Sequence, residues 1–285
     1  MRVLFCTDGS KISYNAIQNF SVWAKSAVVD IFCAADWSFL PDTVSVESSG
    51  FAQQCTNSAD SILNYSEKFL QEKGIAADKK IKMCGAVVDS ILEICDKTEY
   101  DYIVLGSHGK KGIRKWLGSV SQELASVSKV STYISKAKNN TEKILFALDS
   151  SEISRNIITK SINGFNLDEK EIHLATVYEI PDYLFLDGNI DSNWILEISK
   201  KQETASMLLL NNYEKMFAEC GLTVAEKTIL NGIPSQEIIK YISKNNIDLT
   251  VCGIRNRKHM SRFLVSSVSK RILENAQSDV LIIRP

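Results

Sequence analysis

The chain has 285 residues, which is enough for one large domain or two ordinary domains of roughly 100–200 residues each. Hydrophobic residues make up 45% and charged residues 24%, as in an average soluble globular protein, and the formal net charge is −1. This charge argues against a general binder of nucleic acid or membrane surfaces, and no apolar run approaches the roughly 20 residues of a membrane span.

Strand and helix patterns alternate along the first half of the chain. The apolar run Arg2–Thr7 predicts a strand that ends at Asp8, and Ser10 is of a residue type that caps helix N-termini. The elements expected after it are a helix over about 11–25, a strand over about 28–35, an irregular polar stretch, a long helix over about 57–74, a third strand, a helix from Val87, a fourth strand over 101–105, a helix with Ser119 as N-cap and a strand over about 130–135.

The second half of the chain repeats the first. Residues 3–17 and 144–158 are identical at eight of fifteen positions. Two later blocks match in the same order (85–92 with 232–239, and 101–106 with 248–253). Chance similarity does not keep order and spacing over three blocks, so the chain consists of two homologous halves. We expect domains at 1–138 and 142–285, joined by the short polar segment KNNTE.

The elements of the second half follow the same order. They are a strand over about 143–148, a helix over about 152–163, a strand over about 171–177, a long helix over about 192–220, a third strand, a helix from Pro234, a fourth strand and a helix, and a last strand over about 279–284. Strands that alternate with helices predict a parallel sheet covered on both faces. Apolar runs such as YIVLG fit strands that are buried on both sides.

A glycine-rich loop, GSHGKKGIRKWLGSVSQ over residues 106–122, joins the fourth strand of the first half to the next helix. Glycine lets the main chain approach a ligand closely, and the N–H groups of a new helix attract an anion. In parallel sheets ligands bind beyond the carboxyl ends of the strands, so Asp8 and this loop should meet. The loop therefore indicates phosphate binding, although glycine-rich loops of this kind are common and most bind nothing. Its four cations could equally face solvent (Lys110, Lys111, Arg114 and Lys115).

Two segments of the chain resemble signatures of the universal stress protein family. FCTDGS resembles the family's strand ending in Asp-Gly-Ser, and GSHGKKGIRKWLGS resembles its Gly-x2-Gly-x9-Gly-(Ser/Thr) loop. The resemblance covers the whole chain twice, as in a tandem member. It implies two Rossmann-like domains of the adenine nucleotide alpha hydrolase-like type, each a five-stranded parallel sheet flanked by helices. Many members of the family bind ATP and others do not.

The resemblance also implies site residues. Asp8 and the end of the second strand near Ala35 and Asp36 would face adenine and ribose, and Val87 would lie near the ribose. The motif glycines and Ser119 would line the phosphates, and His108 could bond a phosphate oxygen. The candidate residues of the first half are Asp8, Gly9, Ala35, Val87, Gly106, His108, Gly109, Gly118, Ser119 and Val120. The ligand would be ATP, ADP or AMP, and Mg²⁺ would enter only together with the nucleotide.

Both loops depart from the family's spacing or composition. In the first half eight residues, not nine, separate Gly109 from Gly118, so the loop either absorbs the deletion or misplaces the Gly118 N–H. In the second half the spacing is nine, but Asn256 and Ser266 replace two glycines. A nucleotide is therefore less expected in the second half. Its weaker candidate site comprises Asp149, Gly253, Asn256, Ser266 and Ser267.

The two aspartates at the ends of the first strands each have two interpretations. Asp8 could accept a hydrogen bond from the ligand or hold Mg²⁺, or it could cap the next helix together with Ser10. The same alternatives apply to Asp149 with Ser151, where the capping role is favoured.

Three functions remain open on the sequence. The first is a stress-response module regulated by an adenine nucleotide in the first half. The second is a nucleotide-free interaction protein with degenerate pockets, working through surfaces such as residues 37–54 or 179–193. The third is a weak ATPase or autokinase, for which no general base or nucleophile is evident, and no catalytic residue is assigned.

Assembly, location and metal content can be predicted more coarsely. The last strand of each half would be a sheet edge that seeks a partner, so the halves could pair as an internal pseudo-dimer, with a further homodimer as an option. The start of the chain leads straight into a strand, which predicts a cytoplasmic protein without a signal peptide. The cysteines and histidines show no metal-binding spacing, and Cys6, Cys33, Cys84 and Cys252 are expected to be buried.

Overall fold

The computed structural model describes residues 1–35, 51–109, 117–136, 140–180, 192–254 and 267–285. Within them the described residues before Asn140 form one compact unit, and those from Asn140 onward form a second. Each unit is described by itself below.

The first unit contains five strands and four helices among its described residues. In chain order they are β1 (Arg2–Cys6), α1 (Lys11–Trp23), β2 (Val28–Ala35), α2 (Phe51–Glu72), β3 (Ala76–Cys84), α3 (Val87–Lys97), β4 (Tyr102–Gly106), α4 (Ser119–Val127) and β5 (Ser131–Ser135). All neighbouring strands are parallel, in the order β3-β2-β1-β4-β5. The order reverses at β1, which pairs with both β2 and β4 and thereby opens a crevice at their carboxyl ends.

The second unit has the same order of elements. They are β6 (Lys143–Ala147), α5 (Glu152–Gly164), β7 (Glu171–Tyr178), α6 (Ser192–Ala218), β8 (Val224–Asn231), α7 (Pro234–Asn245), β9 (Leu249–Gly253), α8 (Ser267–Asn275) and β10 (Asp279–Ile283). Its parallel strands follow the order β8-β7-β6-β9-β10. The predicted fold class of two five-stranded α/β domains is therefore confirmed.

Right-handed crossovers decide on which face each helix packs. The chain moves from β1 through β2 to β3 in one direction and returns to β4 and β5 in the other, so α1 and α2 cover one face and α3 and α4 the opposite face. Phe20 of α1 packs its ring against Tyr102 and Tyr133, with centroids 5.4 and 5.3 Å apart. These contacts hold α1 against β4 and β5. The start of α1 lies beside the end of β1 because only residues 7–10 separate the two elements.

Most predicted boundaries agree with the structure to within two residues, and three expectations need correction. The α2 helix begins at Phe51, earlier than the predicted start near residue 57. Gly118, not Ser119, is the N-cap of α4, because the backbone turns helical only at residue 119. Cys84 is exposed whereas Cys6, Cys33 and Cys252 are buried. Cys84 is exposed because it ends β3, a strand rich in lysine and exposed along most of its length.

A buried histidine links β7 to α7 in the second unit. His173 contacts the Tyr241 hydroxyl at 2.7 Å and Glu171 Oε1 at 2.8 Å, and Lys143 Nζ donates to the same Glu171 oxygen at 3.0 Å. The hydrogen bond from Lys143, and then that from His173, lowers the pKa of Glu171 below its ordinary value.

Glu171→Gln is expected to cost stability at neutral pH and progressively less in acid. A carboxyl with a lowered folded-state pKa stabilises the fold above its unfolded pKa, and this contribution is lost as the pH falls through the folded value. Urea unfolding between about pH 3 and pH 7 measures the difference, across an ordinary glutamate pKa of about 4.3. Glu203→Gln, the same change at an exposed position on α6, is the control.

Candidate functional site

A cavity of about 220 Å³ lies at the carboxyl ends of β1 and β4. It contains eight of the ten residues proposed for the first half: Asp8, Val87, Gly106, His108, Gly109, Gly118, Ser119 and Val120. Its walls also include residues that the sequence did not single out: Cys6, Thr7, Ser13, Phe32, Ala34, Ile91, Leu105 and Ser121. The fold thus gathers residues that lie more than a hundred positions apart around one cavity.

The two remaining candidates, Gly9 and Ala35, do not line the cavity. Gly9 has a φ of +74°, which favours glycine, so it makes the turn between β1 and α1. Ala35 is buried, and the preceding Ala34 lines the cavity instead. Successive side chains of a strand point to opposite faces of the sheet. A prediction that is wrong by one residue therefore names a side chain on the face away from the cavity.

The Asp8 carboxylate has one oxygen in the turn and one facing the glycine loop. The Ser10 N–H donates to Asp8 Oδ1 at 3.0 Å, and Ser10 Oγ in turn accepts from the Ser13 N–H at 3.4 Å. A Cβ built on Gly109 would lie 2.7 Å from Asp8 Oδ2. Asp8 therefore shapes the helix start, as one interpretation held, and also lies against the glycine loop, where any larger residue at 109 would crowd it.

Gly106 and Gly118 are glycines for reasons of packing. A Cβ on Gly106 would lie 2.8 Å from Ile12 Cγ2 and 3.2 Å from the Ile12 carbonyl carbon, so the end of β4 can touch α1 only without a side chain. The Gly118 N–H donates to the Ser107 carbonyl at 2.6 Å, and a Cβ there would lie 3.2 Å from that oxygen. The loop therefore uses this N–H itself, and a phosphate-lining role of Gly118 stays a prediction.

The N-terminus of α4 opens onto the cavity through Ser119 and Val120. The first N–H groups of a helix have no acceptor within the helix, and its dipole favours a negative charge there. The Ser121 hydroxyl is buried and donates to the Gly106 carbonyl at 2.7 Å, which ties α4 to β4. Ser121 therefore has a structural role and is a poor candidate for a phosphorylated serine.

Other groups in the cavity wall complete its chemistry. His108 Nδ1 lies 3.1 Å from the Ser107 hydroxyl, which orients the imidazole. Burial raises the pKa of the Cys6 thiol well above its ordinary value, so the thiol stays protonated at neutral pH and is not a nucleophile. Phe32 and Ile91 are buried apolar residues. The described part of the cavity wall thus combines apolar side chains, the Asp8 carboxylate and the first residues of α3 and α4.

The universal stress protein family matches residues 1–136 and again residues 140–284. A universal stress protein of Synechocystis sp. is 21% identical over 308 residues, covering 99% of both chains. One of Methanocaldococcus jannaschii is 26% identical over 155 residues, covering 54% of this chain and 89% of the relative. The chain belongs to the universal stress protein family.

A solved structure shares the fold of this tandem universal stress protein over its whole length. The universal stress protein of Archaeoglobus fulgidus superposes with a TM-score of 0.71 at 19% identity, covering 99% of this chain and 98% of that one. The two family matches and the full-length relative confirm the predicted family and its tandem form.

The second half of this universal stress protein uses its aspartate differently. Asp149 Oδ1 accepts from the Ser151 N–H at 2.9 Å, from the Ser154 hydroxyl at 3.0 Å and from the Ser151 hydroxyl. Three donors on one carboxylate oxygen give Asp149 a structural role at the start of α5, which agrees with the capping interpretation.

Gly253 matches Gly106 in its packing. A Cβ there would lie 2.3 Å from Ile153 Cγ2, and the Ser269 hydroxyl donates to the Gly253 carbonyl at 2.6 Å, as Ser121 does to Gly106. The glycine that the two halves share at this position therefore brings the strand and helix into contact in both.

Several candidates lie outside the described residues: Asp36, the four cations of the first loop, Asn256, Ser266 and the side chain of Ser267. Within the part of the chain that the structure describes, no group of three or more His, Cys, Asp or Glu side chains could hold a metal ion. None of the described helices is long and apolar enough to cross a membrane.

Proposed function

We propose that the first half of this universal stress protein binds an adenine nucleotide and that the bound nucleotide regulates the protein as a module of the stress response. The observation that carries the proposal is the cavity at the ends of β1 and β4, where Asp8, apolar side chains and the N-terminus of α4 meet. ATP, ADP and AMP share the base, the ribose and at least one phosphate that such a cavity can hold.

The cavity offers a different group for each part of the ligand. Phe32, Val87 and Ile91 are apolar surfaces of the kind that an aromatic base packs against. Asp8 is an acceptor for an amine or hydroxyl group, and the start of α4 attracts a phosphate. The close approach of residue 109 to Asp8 Oδ2 fits a glycine loop that lies directly over the ligand. Mg²⁺ would be held chiefly by the nucleotide's own phosphates.

The second half favours the alternative function of a nucleotide-free interaction domain. Its aspartate is engaged by Ser151 and Ser154 at the start of α5. A chain with one binding half and one degenerate half would respond to nucleotide through the first half alone. The pairing of the halves, the protein partners and the cytoplasmic location stay predictions.

Fast hydrolysis of ATP is not expected. The hydroxyl of Ser121 donates to a backbone carbonyl, and the His108 imidazole lies beside the Ser107 hydroxyl. A weak ATPase or autophosphorylation activity therefore stays the third hypothesis, and phosphate release at the rate seen in buffer would remove it.

ATP, ADP or AMP at saturation is expected to raise the melting temperature of the full chain by several degrees. A ligand at about 100 times its dissociation constant stabilises the native state by about 2.7 kcal/mol, and each kcal/mol shifts the melting temperature by roughly 2–4 °C. Differential scanning fluorimetry with and without Mg²⁺ measures the shift. No shift with any of the three at millimolar concentration would reject nucleotide binding and direct attention to protein partners.

A further inference from the structure

Two hydroxyl groups in the cavity wall of the first half pair with each other. Thr7 Oγ1 lies 2.7 Å from Ser13 Oγ, and both residues are buried. The Gly9 N–H donates to Thr7 Oγ1 at 3.0 Å, and the Ser13 hydroxyl lies 2.8 Å from the Ser10 carbonyl. Thr7 and Ser13 therefore connect the end of β1, the turn and the first residues of α1.

The directions of these hydrogen bonds follow from the number of hydrogens. A hydroxyl carries a single hydrogen, and a carbonyl oxygen can only accept. Ser13 must therefore donate to the Ser10 carbonyl, which makes Thr7 the donor to Ser13 Oγ. Since its single hydrogen is used, the Ser13 hydroxyl cannot donate to the neighbouring Asp8.

The equivalent serine of the second half, Ser154, bonds the neighbouring aspartate. Leu148 stands where the first half has Thr7 and carries no hydroxyl. The Ser154 hydroxyl, the counterpart of Ser13, accepts from the Asp149 N–H at 2.9 Å and donates to Asp149 Oδ1 at 3.0 Å. A threonine in one half and a leucine in the other thus accompany two different partners for the same serine.

We propose that Thr7 is a positioning residue for the nucleotide site: by donating to Ser13 Oγ it stabilises the rotamer in which the Ser13 hydroxyl bonds the Ser10 carbonyl and not the Asp8 carboxylate. Leu148 has the reverse effect, since it leaves Ser154 to bond Asp149. This inference rests on the proposed function of the first half. It explains why Ser154 bonds Asp149 whereas Ser13 bonds the Ser10 carbonyl, although both halves keep the aspartate and the serine.

Thr7→Val tests the inference, because valine keeps the shape of threonine and removes its hydroxyl. In the full chain the Ser13 hydroxyl should turn to Asp8 and compete with the ligand, lowering ATP affinity by about tenfold or more, the size expected for a hydrogen bond to a charged group. Thr7→Ser keeps the hydroxyl and should stay within about twofold of the wild type. Isothermal titration calorimetry with ATP measures both, at a temperature where circular dichroism shows all variants folded.

The double variant Thr7→Val/Ser13→Ala separates positioning from direct contact. Removing the Ser13 hydroxyl removes this competitor for Asp8, so the double variant should recover most of the ATP affinity that Thr7→Val loses. If Thr7 instead acted by touching the ligand or by accepting from the Gly9 N–H, the double variant would bind as weakly as Thr7→Val, and the inference would be overturned.

A crystal structure of Thr7→Val provides a readout that needs no ligand. Ser13 Oγ within hydrogen-bond distance of an Asp8 carboxylate oxygen supports the inference, and an unchanged Ser13 rotamer overturns it. A wild-type chain that binds no nucleotide would reject the proposed function and the ligand role of Thr7 with it. Wild-type binding together with full affinity of Thr7→Val would reject the role of Thr7 alone.

Discussion

Asp8→Asn is expected to weaken ATP binding by the first half by about tenfold to a hundredfold. The change keeps the size of the side chain and an oxygen that can accept from the Ser10 N–H, so the turn and the cap of α1 should persist. It replaces the charged carboxylate that would accept a hydrogen bond from the ligand with a neutral amide. A hydrogen bond to a charged group contributes about 1.5–3 kcal/mol. Isothermal titration calorimetry with ATP, at one fixed salt concentration, measures the loss.

Asp149→Asn is the matched control for this prediction. Asp149 occupies the same position in the second half, but its Oδ1 accepts from Ser151 and Ser154 at the start of α5. We therefore expect the variant to lower the free energy of unfolding of the second half and to leave the affinity for ATP unchanged. An equal loss of affinity in both variants would contradict the assignment of the site to the first half.

Gly253→Ala is expected to destabilise the second half by about 1–3 kcal/mol, the usual cost of overpacking a core. The new Cβ would lie 2.3 Å from Ile153 Cγ2 and 2.9 Å from Ile157 Cδ1, where α5 meets the end of β9. Ile153 is β-branched and lies in a helix, so its χ1 angle has little freedom to move aside. Chemical denaturation of the full chain measures the loss, and nucleotide affinity should not change.

A double-mutant cycle with Ile153→Ala identifies the cause of that loss. Truncating Ile153 removes the atom that the new Cβ would meet, so Gly253→Ala should cost less in this background than in the wild type. If both costs are equal, the glycine is required for a reason other than contact with Ile153.

The site could be predicted from the sequence in outline but not in its hydrogen bonds. Asp8 and Gly109 are predicted to meet because strand-end residues of a parallel sheet converge, and Val87 is implied by the family resemblance. Thr7 and Ser13 were missed, although the comparison of the two halves contains a signal, since Thr7 aligns with Leu148 within an otherwise similar block. The alignment alone does not say what this difference does, because only the structure shows which group each serine hydroxyl bonds.

The glycines show most clearly where sequence reasoning ends. A motif predicts that a position must be glycine, but it does not state which atom would clash with a side chain. At Gly106 that atom belongs to Ile12, and at Gly118 it is the Ser107 carbonyl oxygen. Both positions line the cavity, and at both a side chain would also press against neighbouring atoms of the protein.

The sequence by itself determined the duplication, the order of strands and helices, and the edge of the sheet at which a ligand would bind. These properties follow from local periodicity and from repeated blocks, which are visible along a single chain. Only the tertiary structure decided that Gly118 caps α4 and that its N–H donates to the Ser107 carbonyl. It also decided that the Ser13 hydroxyl bonds the Ser10 carbonyl whereas the Ser154 hydroxyl bonds Asp149. The physical reason is that hydrogen bonds of 2.6–3.0 Å depend on which side chains meet in space, and a single hydroxyl hydrogen can serve only one acceptor.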